Sequence, residues 1–71
     1  MKVEIVDADD WKGLYIDGKL EYEGHEIGID IFIRCLKQAG VVLPFSFDEE
    51  FLIGDDLDQL RKAGRFPKQR G

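Results

Sequence analysis

One cysteine, one histidine, one tryptophan and two prolines in 71 residues leave little material for most kinds of chemistry. The single thiol, Cys35, excludes an internal disulfide framework and fits a reducing compartment, so the expected location is cytoplasmic. His25 has no second histidine with which to share a metal or a proton relay, and no serine or cysteine nucleophile lies near it in sequence. The eight glycines form neither a GxGxxG nor a GxxxxGK phosphate loop. The longest nearly apolar run, residues 27–33, is interrupted by Asp30 and is far shorter than a membrane span. Met1-Lys2 leads straight into an alternating pattern with no apolar signal region, so no membrane association is expected.

What is present is a hairpin. Asp17-Gly18 is a two-residue turn suited to positive φ at both positions, the requirement of a type I′ connection. A regular register pairs Ile16 with Lys19, Tyr15 with Leu20, Gly13 with Tyr22 and Trp11 with Gly24. One face then carries Trp11, Gly13, Tyr15, Leu20, Tyr22 and Gly24, and the other pairs Leu14 with Glu21 and Lys12 with Glu23. Residues 2–6 alternate well enough to supply a third strand, which an isolated hairpin needs in water.

A helix is expected over residues 29–39, with Asp30 in its first turn, Lys37 in its last and Gly40 as a left-handed stop. Asp30, Arg34, Lys37 and Gln38 make one narrow polar stripe, and the apolar arc beside it spans roughly 200°. A helix on a single sheet needs about half that width, so something further must cover Ile31 or Ile33. Phe32 and Leu36 are expected against the face that carries Trp11, Tyr15 and Tyr22.

The last third is more broken. Residues 41–47 have β character, which Pro44 limits to an edge strand or an extended connection. Ser46 followed by Glu49 resembles a capping box and predicts a helical turn over residues 48–52. Asp55 can cap a helix over residues 56–63, ended by Gly64. The resulting fold is α+β: a three-stranded antiparallel sheet, with a fourth edge strand allowed, packed by one amphipathic helix and followed by short helical segments. Residues 1–64 form the expected single domain and 65–71 a basic, frayed tail.

The pattern Trp11-Lys12-Gly13-Leu14-Tyr15-Ile16-Asp17-Gly18-Lys19-Leu20, then Gly24-His25, resembles the start of small uncharacterised bacterial and phage proteins. The resemblance covers about a fifth of the chain. It implies a short sheet followed by one amphipathic helix in a bacterial or phage setting, and no activity.

Charge is segregated. Residues 1–60 hold fifteen acids against five bases, a net charge of −10, whereas the last eleven residues hold five bases and no acid. Such a tail can dock on its own body, on a second copy or on an acidic partner. The acidic body argues against nucleic acid as the partner. No acidic cluster has the glycine and twelfth-position glutamate of a calcium loop, and no residue set implies a cofactor, a metal or a catalytic centre. The expected function is therefore contact with a protein partner or a homodimer, through candidates Trp11, Tyr15, Tyr22, Ile31 and Ile33. The alternative is a small-ligand binder or enzyme with a site near Asp9, Asp10 and His25.

Overall fold

Asp17 and Gly18 take φ values of 50° and 82°, so the hairpin closes through the type I′ turn that the dipeptide favours. A computed structural model describes residues 1–70. Strands β1 (Lys2–Asp7), β2 (Lys12–Ile16) and β3 (Lys19–Gly24) form a consecutive antiparallel meander. Helix α1 (Ile29–Gln38) follows, with Lys37 in its last turn and Gly40 at φ 71° just beyond its end. Strand β4 (Ser46–Phe51) then pairs parallel to β1, giving the order β3-β2-β1-β4, and helix α2 (Gly54–Ala63) closes at a left-handed Gly64. The architecture is α+β, with three antiparallel strands and a fourth at the edge.

The two faces of the hairpin are not those of a regular ladder. Ile16 opposes Lys19 and Tyr15 opposes Leu20, but Leu14 opposes Tyr22 and Gly13 opposes Glu23. Glu21 is the extra residue of a bulge, and one inserted residue reverses the facing of everything beyond it. Trp11, Tyr15 and Tyr22 therefore do not share a face. Val3, Leu14, Ile16 and Tyr22 lie beneath α1 together with Cys35, Ile31, Phe32 and Leu36. Trp11, Tyr15, Val6 and Leu20 lie on the opposite side, under Leu57 and Leu60 of α2 and under Phe66. The expectation that α1 packs on the Trp11/Tyr15 face is thus reversed.

Two further expectations change. Residues 48–52 are not a helical turn: most of them belong to β4, because extended pairing along the exposed side of β1 supplies a ladder that a single capped turn cannot match. Residues 65–70 are not frayed. Phe66 is only 3% exposed, and its ring lies on Gly13, where a Cβ would come within 3.0 Å of it. Tyr15 Oη donates to Pro67 O at 2.5 Å, Leu20 N to Lys68 O, and Arg70 N to Gly18 O. The segment crosses the sheet under α2 and ends beside the outer side of β3, joined to it by the single Lys19–Gln69 bridge.

Candidate functional site

Because α2 and the C-terminal segment go to the far face, neither covers α1, which the last third of the chain meets from its outgoing connection and β4 by Val41, Phe45 and Phe47. The core takes Cys35, with Ile31, Phe32, Leu36 and Ala39 half-buried around it. Ile29 and Ile33, one turn apart on the flank, remain 74% and 44% exposed. The apolar arc is wider than its sheet contact, as its span implied, and the surplus is open.

Strand β4 continues this flank. Pairing of Val3 with Phe47 and Asp7 with Phe51 turns both phenylalanines to the α1 side of the sheet. The Phe47 ring stands edge-on to Phe32, with centroids 6.1 Å apart, yet Phe47 is half exposed and Phe51 more so. Val42 and Leu43, in the connection from α1, are also exposed. Isolated exposed apolar residues are ordinary; six from one helix flank, its outgoing loop and the adjacent edge strand make a surface.

The outer edge of β4 carries no neighbouring strand among the described residues. Ser46 N donates to Met1 O and Leu52 N to Asp7 O, so the even-numbered residues between them face β1. Phe47, Glu49 and Phe51 accordingly direct their N–H and C=O groups outward. The Glu49 N–H is covered by its neighbour, donating to Asp48 Oδ1 at 3.0 Å. Side chains of Asp48 and Glu50 leave the strand on the α2 side, opposite to the phenylalanines. Glu50 binds Arg70 Nη2 at 2.5 Å, whereas Asp48 and Glu49 are exposed. The edge thus has a face with Phe47 and Phe51 flanking Glu49, a face with Asp48 and Glu50, and free backbone groups.

The other candidate residues are placed differently. Tyr15 is fully buried; its removal from water pushes the phenol above its ordinary pKa, despite the Arg70 guanidinium 5.5 Å above the ring. Trp11 is half-buried, donating from Nε1 to Glu23 Oε1 at 2.9 Å, and the same carboxylate oxygen accepts from Phe66 N at 3.3 Å. Tyr22 and Ile31 are half-buried under α1. Of the five interaction candidates, Ile33 is the most exposed.

His25 is exposed, with its ring edge-on to Trp11 and Nδ1 2.9 Å from Asp10 O. Asp9 is held by its own turn, its N–H donating to Asp7 Oδ1, and lies 3.9 Å from Arg61. The small cleft there, about 110 Å³, takes in Asp10 and Trp11 but not His25. No group of three acid, histidine or cysteine side chains able to hold a metal occurs among the described residues. Burial raises the Cys35 thiol above its ordinary pKa, which makes it less reactive.

A larger cleft of about 340 Å³ lies between α2 and the sheet, bounded by Val6, Leu52, Leu60 and Phe66 with Glu50 and Arg70 at its rim. Arg70 fills much of its polar capacity internally, through Glu50 and, at 4.0 Å, Glu4. The hydrogen bond to Glu50 raises the guanidinium pKa further, so Arg70 is charged at every ordinary pH. No helix among the described residues is long and apolar enough to cross a membrane. Sequence reasoning found the surplus on α1 but missed Phe47 and Phe51, although the alternation Phe47-Asp48-Glu49-Glu50-Phe51 places both rings at strand spacing. No family model, curated protein or solved structure matches this chain.

Proposed function

We propose that the protein is a small interaction module, which binds another protein through the flank formed by α1 and β4. The observation that carries this reading is the exposure of Phe47 and Phe51 on an unpaired sheet edge, beside the open Ile29 and Ile33 of α1. Large apolar side chains on a free edge favour association, and soluble chains ordinarily blunt or cover them. Aromatic anchors in a partly apolar surface are also the residues that dominate contact energies. Self-association through the same flank belongs to this reading, since closed two-fold pairing is the commonest way small chains cover such surface. The single buried cysteine supports a reducing, cytoplasmic setting, and the resemblance carried by the hairpin supports a bacterial or phage one.

Affinity copurification from cell lysate tests the reading when the parent is compared with an Ile33→Ser/Phe51→Ser variant of unchanged circular dichroism. The expected result is a protein retained by the parent, lost by the variant, whose binding slows amide exchange over α1 and β4. Identical retention by both would remove this surface as the functional one. Sedimentation equilibrium decides the homodimer: a parent that stays at 8.2 kDa through high micromolar concentration has no such state.

A further inference from the structure

The two edges of the sheet are treated differently, and the difference specifies an occupant. The β3 edge is already met by the chain's own basic segment, with Leu20 N bonded to Lys68 O and Lys19 bridged to Gln69. Arg70 then reaches across Tyr15 to the carboxylates of Glu4 and Glu50. A short basic stretch is thus held at one edge by backbone bonds, and its charge is answered by carboxylates of β1 and β4. The β4 edge presents the same opportunity with no occupant among the described residues: outward backbone groups at Phe47, Glu49 and Phe51, and carboxylates at Asp48, Glu49 and Glu50.

We infer that the β4 edge binds an extended segment of another protein in which basic and apolar residues alternate. This rests on the interaction-module reading and names the partner within it. Added as a fifth strand, such a segment places its apolar side chains over Phe47 and Phe51 on the α1 side. Its basic side chains then face Asp48 and Glu50 on the other side. A lysine beside Asp48 also competes for the carboxylate that covers the Glu49 N–H, freeing that donor for the incoming strand. A second copy is disfavoured at this edge. Two-fold antiparallel pairing of β4 brings the triplet Asp48-Glu49-Glu50 against the same triplet, and like charges directly opposite each other destabilise a ladder.

The test is an NMR titration of the ¹⁵N-labelled full chain with two alternating peptides, Val-Lys and Val-Glu, each about nine residues long. The Val-Lys peptide is expected to shift the amides of Phe47, Glu49 and Phe51 and to slow their exchange. Its affinity should weaken by up to about fivefold in an Asp48→Asn variant and fall further at about 0.5 M salt. The Val-Glu peptide should leave the three amides unmoved. Equal binding of both peptides, no binding of Val-Lys, or shifts confined to other carboxylates would each overturn the inference. So would a concentration-dependent doubling of mass that protects the same three amides, because it gives the edge to a second copy. If the peptides fail while the copurified protein still protects α1 and β4, the partner class is wrong and the interaction reading stands. If both experiments fail, both readings fall.

Discussion

Gly18 combines two constraints at one position: φ of 82°, and the Arg70 carbonyl oxygen 2.7 Å from where a Cβ would stand. Gly40 shares the first, with φ of 71°, and meets nothing within 4 Å. Gly18→Val should therefore cost on the order of 1–3 kcal/mol from backbone strain plus a further loss from displacing the C-terminal segment. Gly40→Val should show the strain alone. Urea melts of the two variants separate these contributions, and equal midpoints would mean that Arg70 does not hold that position. Tyr15 and Cys35 make a second residue-scale statement. Both are neutral when protonated and both have pKa values raised by burial, so the folded chain retains protons that the unfolded chain releases. Stability should be level through neutral pH, then fall as pH climbs past the ordinary thiol and phenol values of 9.0 and 10.0. Thermal melts between those values and higher pH check it, and Tyr15→Phe should remove the phenol's share of the fall. At neutral pH that variant should lose about 1 kcal/mol with the bond to Pro67 O.

Among the elements, the bulge at Glu21 has the largest consequence. It lets Tyr15 and Leu20 face α2 while Leu14 and Tyr22, two residues further from the turn on β3, face α1. Deleting Glu21 would leave Tyr22 next to Leu20 and still opposite Leu14, a regular ladder with each ring on its present face. The expected cost is well below the roughly 3–5 kcal/mol of truncating a buried aromatic, because no core side chain changes face. Circular dichroism of the deletion variant should show a molecule still folded at 37 °C; one largely unfolded there would mean that the bulge itself is required. The C-terminal segment is integral. Phe66 lies on Gly13, and Phe66→Ala should lose about 3–5 kcal/mol in a urea melt. Gly13→Ala should weaken the same contact from beneath, since its methyl group would meet the ring at 3.0 Å.

For the whole molecule, the segregated charge has a structural use. The acidic body takes back part of its basic end through Arg70 with Glu50 and Glu4 and Arg61 with Asp9. The exposed pair of Asp9 and Arg61 contributes little by itself. Arg70, half-buried over Tyr15, ties the C-terminal segment to β1 and β4 together. On the opposite flank, acids remain unpaired at the β4 edge, where they keep an apolar strand from pairing with copies of itself. Asp48→Asn/Glu49→Gln should accordingly raise self-association. Sedimentation of parent and variant at equal concentration measures it, and an unchanged mass would show that these acids do not guard the edge.

Local conformational demand was legible from the residues alone. Asp17-Gly18 needed positive φ, Gly40 and Gly64 ended helices, and the 3.6-residue period bounded α1 and left it with excess apolar surface. Each follows from a few neighbouring side chains and one backbone preference, so no distant contact was required. The facing of the hairpin was not legible, because a bulge after a regular turn leaves no mark in an alternating pattern until the opposing layers choose which rings to bury. Nor was β4: Ser46 and Glu49 offer a helical cap, and only the open side of β1 makes extended pairing the better use of those backbone groups. Residues 65–70 read as a charged tail because their partners, Gly13, Tyr15, Glu23 and Glu50, are between 20 and 53 positions away. The sequence determined where the chain turns and which segments are amphipathic. The tertiary structure decided which face each segment buries, and hence that the open surface lies along α1 and β4, because burial is settled by what remains uncovered once every element has packed.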